Sequence, residues 1–75
     1  MTSDKLPLWE WRAKRRLSKT ALAQAAGVSR NTVADIESGK HLPKLETMRE
    51  IAAVFEIGLD AVDWEAARRE RSLEQ

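Results

Sequence analysis

Apolar residues recur along this chain at intervals of three and four, and no stretch alternates apolar with polar positions. That period belongs to the α-helix, so the pattern predicts an all-α fold of five helices. The first is expected to begin near Pro7, preceded by Asp4 or Lys5, because proline's fixed φ suits a first helical turn. Leu8, Trp11, Arg12 and Arg15 then share one face, and Trp9 points elsewhere. Ser18 is the expected N-cap of the second helix, whose buried stripe is Leu22, Ala23 and Ala26. Gly27 ends it at positive φ, Val28 fills the angle that follows, and Ser29 caps the third helix. There Val33, Ile36 and Glu37 line the inner face. Arg30, Asn31, Ala34 and Asp35 face outward with Thr32 nearby, and Gly39 is the stop.

A loop over residues 40–44 carries Pro43 just ahead of the fourth helix. In that helix Leu45, Met48, Ile51, Ala52 and Phe55 repeat as a core-facing stripe, and Ile57 and Gly58 make the next turn. The fifth helix is expected over 59–72, with Leu59, Val62, Ala66 and Leu73 inward and residues 70–75 polar enough to fray. The second and third helices, joined by the tight turn at Gly27, have the spacing of a helix-turn-helix. In that unit the second helix fits the major groove of DNA.

The length of 75 residues suits one domain over 1–75. A net charge of +1 looks neutral until it is mapped along the chain. From Arg12 to Lys44 eight basic residues face two acids, a balance of +6 that coincides with the helix-turn-helix. From Leu45 to Gln75 four basic residues face eight acids, a balance of −4. A basic half suits a polyanion on one face. There is no cysteine, no apolar run of signal-peptide length and no segment near the ~20 apolar residues of a membrane span, so a soluble cytoplasmic protein is expected.

Catalysis is the weakest reading of these residues. No nucleophile stands at motif spacing from a base, and no glycine-rich loop is present to cradle phosphate. Only one histidine, His41, is present, with no second histidine or cysteine at ligand spacing. No catalytic residue, metal, cofactor or small-molecule ligand is therefore expected.

The series Leu8, Trp11, Arg12, Leu17-Ser18, Leu22-Ala23, Gly27-Val28-Ser29, Thr32-Val33, Ile36-Glu37, Ser38-Gly39-Lys40, Pro43, Leu45, Ile51-Ala52, Phe55 and Leu59-Asp60 stands in order along the chain. Over about 8–62 it resembles the Cro/repressor-type helix-turn-helix domains of the XRE family. The resemblance implies a compact five-helix bundle of the lambda-repressor-like type, with residues 59–72 as a C-terminal helix extension. It further implies a DNA-binding transcriptional regulator, usually a homodimer on an inverted repeat of double-stranded DNA. Glu37 lies one turn after Val33 and Arg12 one turn after Leu8, so both charges turn inward and need each other. The family places a structural ion pair at these two positions.

The resemblance also assigns the reading surface. The start of the third helix meets base edges, which nominates Arg30 for guanine, Asn31 for adenine and Thr32 for a phosphate or a thymine methyl. Asp35 is an outward acid that departs from a simple basic surface. It accepts from a cytosine amino group, bonds Arg30, or repels wrong sequences. Phosphate contacts are expected from Lys19, Ser29, Lys40, His41 and Lys44, with Lys14 as a further candidate; for His41 an ordinary exposed loop position is the alternative. Lys19 stands where the family commonly has glutamine.

Taking the fifth helix as continuous, ~100° per residue sets Trp64 opposite Leu59, Val62 and Ala66, beside Ala61 and Arg68. An exposed tryptophan there suggests a dimer interface. The alternative is that the helix bends or ends early and Trp64 packs on its own core. The functional expectation is thus a DNA-binding repressor acting as a homodimer. The runner-up is an antitoxin-type regulator that binds a protein partner such as a toxin and uses DNA for autoregulation.

Overall fold

The computed structural model describes residues 5–73, with side chains through Arg69. Among them the chain forms β1 (Leu6–Pro7), α1 (Leu8–Lys14), α2 (Lys19–Ala26), α3 (Arg30–Ser38) and α4 (Leu45–Phe55). A 3₁₀ turn (Leu59–Ala61), β2 (Val62–Asp63) and α5 (Ala66–Leu73) follow. None of these helices is long and apolar enough to cross a membrane. Asp4 and the side chain of Leu73 lie outside the described residues; of the 70–75 stretch expected to fray, 70–73 form the end of α5 and 74–75 lie outside.

The first half is set by local chemistry. The hydroxyl of Ser18 accepts from the Ala21 amide at 3.0 Å, satisfying a donor that has no partner inside α2. Gly27 at φ 75° and Gly39 at φ 79° close α2 and α3 in the left-handed region, where a side chain is strained. Leu22, Ala23, Ala26, Val33 and Ile36 are buried, joined from the other helices by Leu8, Ile51, Ala52, Phe55 and Val62. The two small alanines of α2 keep its inner face low. Trp11 and Phe55 meet with ring centroids 6.1 Å apart, while the Arg15 guanidinium lies 5.7 Å from the Phe55 ring centroid and donates to the Phe55 carbonyl at 3.1 Å. That carbonyl is at the C-terminus of α4, where a cation is favoured.

Three expectations are corrected. The predicted helix over 59–72 does not form as one piece. Leu59–Ala61 is a 3₁₀ turn, and Val62–Asp63 pairs in parallel with Leu6–Pro7 (Leu6 opposite Val62, Pro7 opposite Asp63). β-branched Val62 is 2% exposed in this extended form, and the Asp63 carboxylate accepts from the Glu65 amide at 3.3 Å, turning the chain before α5 starts. The spacing missed this small sheet because its strands are two residues long, too short to alternate. Leu45, expected in the core stripe, is 53% exposed; the buried part of that face begins only at Ile51. The turn after α4 pivots on Glu56 at φ 57°, with no positive φ at Gly58.

α5 is seated on the end of α3. A Cβ on Gly39 would lie 2.9 Å from the Ala67 carbonyl carbon and from the Arg68 amide nitrogen. Gly39 therefore ends α3 and also gives α5 its backbone contact.

Candidate nucleic-acid interface

α3 is the element with an outward polar face in the basic half. Its cap is tight: the Ser29 hydroxyl accepts from the Thr32 amide at 3.1 Å and pairs with the Thr32 hydroxyl at 2.9 Å. Arg30 and Asn31, the first two helical residues, are exposed, whereas Thr32, Ala34 and Asp35 are half-buried. Thr32's hydroxyl shares one hydrogen bond with Ser29 and keeps further capacity beside its methyl.

Behind this face α3 is clamped. Arg12 Nε donates to Glu37 Oε2 at 2.8 Å and Nη2 to Oε1 at 2.9 Å, a two-point contact between α1 and α3. The third guanidinium arm, Nη1, donates to the Leu17 carbonyl at 2.9 Å, so one side chain ties α1, the following loop and α3. The Glu37 side chain is 7% exposed and that of Arg12 21%. The hydrogen bond to Glu37 raises the Arg12 pKa, outweighing the opposing effect of burial.

The loop after α3 folds back onto it. Lys40 and His41 donate their amides to the Asp35 carbonyl at 3.0 and 3.5 Å, and the Ser38 hydroxyl donates to the same oxygen at 3.2 Å. This brings Thr32, Asp35, His41 and Lys44 around one open groove of about 290 Å³, with Ile36, Leu42, Pro43 and Thr47 completing its wall. Lys40 is exposed in the loop, and Lys19, half-buried, opens α2; neither lines that groove. Lys14 is exposed at the end of α1.

The set Trp64, Ala61 and Arg68 is not brought onto one helix face. Ala61 ends the 3₁₀ turn and accepts at its carbonyl from the Trp11 indole at 2.9 Å; Arg68 is exposed on α5. Trp64 lies in the turn before α5, half-buried against the core, and its indole donates to the Leu59 carbonyl at 3.1 Å. The helical-wheel argument for an outward Trp64 fails because residue 64 is not helical. Asp63 is paired with Arg69, and that hydrogen bond is the main cause of its lowered pKa.

Sequence reasoning missed Thr47 as a groove residue, Arg15 as the tie between α1 and α4, and the exposed pair Leu42 and Leu45. Leu42 carried a signal, being an apolar residue in an otherwise polar loop. Among the described residues no group of three or more His, Cys, Asp or Glu stands close enough to hold a metal ion.

A family model described as Helix-turn-helix matches residues 10–62. The chain is 35% identical over 51 residues to the ImmF control region 10 kDa protein of Bacillus phage phi105, a match covering 68% of this chain and 57% of that protein. It is 36% identical over 53 residues to an uncharacterized HTH-type transcriptional regulator of Archaeoglobus fulgidus, covering 71% of this chain and 75% of that protein. The chain thus spans little more than half the length of the phage relative. No solved structure matches significantly.

Proposed function

The chain belongs to the XRE-type helix-turn-helix family of DNA-binding transcriptional regulators, and from that premise we propose that it is a sequence-specific repressor reading double-stranded DNA as a homodimer on an inverted repeat. The observation that carries this reading is the exposed pair Arg30 and Asn31 at the start of α3, behind a serine cap and in front of the Arg12–Glu37 clamp. α3 enters the major groove by its N-terminal end while α2 crosses the backbone. Arg30 takes guanine O6 and N7, and Asn31 takes adenine N6 and N7. Thr32 offers its methyl to thymine, and Asp35 accepts from a cytosine amino group.

Phosphate contacts come from Lys19, Ser29, Lys40, His41 and Lys44, so affinity falls steeply as salt rises. Repression needs only occupancy of the operator, in the cytoplasm where the DNA is, and no catalytic step enters. The phage relative's name speaks of a control region, which supports a regulatory role.

The test is selection of bound duplexes from a random pool. An inverted repeat with half-sites about one helical turn apart is expected. Arg30→Ala should weaken binding by about 1–3 kcal/mol and relax the preference at one base position, with melting temperature unchanged. A pool with no enriched sequence at low salt overturns the reading.

A further inference from the structure

α5 meets α3 at Gly39, about 13 Å along the helix from the exposed pair Arg30 and Asn31. The approach is backbone to backbone, with no room for a Cβ between Gly39 and the peptide joining Ala67 to Arg68. Ala66 and Ala67, both half-buried, also line a cavity of about 10 Å³ with Trp9, Ile36, Glu37 and Trp64. A space of that size holds at most one water molecule. Glu37, whose side chain is 7% exposed, thus shares a nearly closed space with α1 and α5.

This cover bears on α3 in two ways. Attraction between two charges is stronger where water is excluded, so α5 firms the Arg12–Glu37 clamp. Gly39 also opens the loop whose Lys40 and His41 amides bond the Asp35 carbonyl at 3.0 and 3.5 Å. Contact at Gly39 therefore fixes the direction in which Lys40 leaves α3.

We propose that Ala67 is a positioning residue for DNA reading: seated on Gly39, it lets α5 close over Glu37 and so holds α3 and the Lys40–His41 loop in reading geometry. The proposal rests on the DNA-binding reading above and adds a residue that stands away from the DNA. α5 acts by covering, and the demand on position 67 is size. With so little space beside Glu37, a larger side chain must lift α5 or push Glu37 from Arg12. The base of α5 is tethered, since Asp63 accepts from the Glu65 amide at 3.3 Å and pairs with Arg69. Lifting α5 therefore tilts it without detaching it.

The experiment is anisotropy titration of the full chain on the selected duplex, over a range of salt. The temperature is one at which circular dichroism shows each variant folded. Ala67→Leu is expected to weaken binding about tenfold and to lower the salt slope by about one, as Lys40 loses its phosphate. Ala67→Ser, similar in size, should bind as wild type does. Adding Trp9→Ala to Ala67→Leu enlarges the same cavity and should restore affinity and slope.

Coupling between sites is reciprocal, so bound DNA should slow hydrogen exchange within α5 of wild type. The Arg69 amide, which donates to the Glu65 carbonyl at 3.0 Å, reports this. That measurement needs no variant and decides the matter if Ala67→Leu fails to fold. Wild-type affinity in Ala67→Leu overturns the proposal and leaves the DNA reading intact. The same holds for a loss that Trp9→Ala does not restore, a loss with unchanged slope, or Arg69 exchange that DNA leaves unaltered. If wild type enriches no duplex, the DNA reading falls and this proposal with it.

Discussion

The segment from Ser18 to Gly39 and the segment from Glu56 to Leu73 are of similar length and comparable helix-forming composition, yet they fold by different means. In the first, each boundary is made by the residue standing there. Ser18 and Ser29 cap with their own hydroxyls, and Gly27 and Gly39 adopt the left-handed conformation that ends a helix. In the second, boundaries are made by distant residues. β2 exists because Leu6–Pro7 lies beside it, and the Ala61 carbonyl that ends the 3₁₀ turn accepts from the distant indole of Trp11. A helix-turn-helix must present α3 with its own geometry fixed, whereas the closing segment need only cover the core.

The sharpest way to break this contrast is at the two left-handed glycines. Gly27→Ala introduces strain alone, because nothing lies within 4 Å of its Cβ, and should cost about 1–2 kcal/mol. Gly39→Ala meets the α5 backbone at 2.9 Å as well and should cost about 3–5 kcal/mol, as backbone strain and overpacking combine. Urea denaturation of the two variants checks this. Equal losses would mean that α5 is not seated on α3.

The next effect lies on the clamp. Glu37→Ala leaves a largely buried guanidinium without its main acceptor and should cost about 2–3 kcal/mol. The double variant Arg12→Met, Glu37→Met removes both charges and should recover much of that loss in the same denaturation experiment. No recovery would show that the third bond, from Arg12 to the Leu17 carbonyl, dominates.

The smallest effect belongs to the closing segment. The Asp63 pKa is lowered chiefly by the Arg69 hydrogen bond, so its carboxylate stabilises the folded state above the ordinary carboxylate range. That stabilisation is lost as pH falls through the lowered folded value. Asp63→Asn should therefore lower the melting temperature at pH 7, and the gap to wild type should close in acid. Arg69 is 58% exposed at its side chain, so solvent screening keeps the difference under about 1 kcal/mol. A gap that persists unchanged below pH 2 would assign the effect to packing.

Legibility of the fold followed the same divide. The caps, the glycine stops and the buried residues of α2 and α3 were readable because each depends on neighbours within four positions. The outward placement of Arg30 and Asn31 was readable for that reason too. Thr32 was only half readable: its position was evident, but the hydrogen bond between its hydroxyl and that of Ser29 was not. Leu45 and Trp64 were misread by extending a helical period past the point where the packing supports it.

The sequence by itself determined the helix-turn-helix, its basic surroundings and the inward direction of Arg12 and Glu37, since helix caps and helical phase act over a single turn. Only the tertiary structure decided where the chain runs after Phe55, which leucines stay in water and what lies over Gly39. Those outcomes depend on surfaces contributed by segments tens of residues away, and a local pattern carries no record of them.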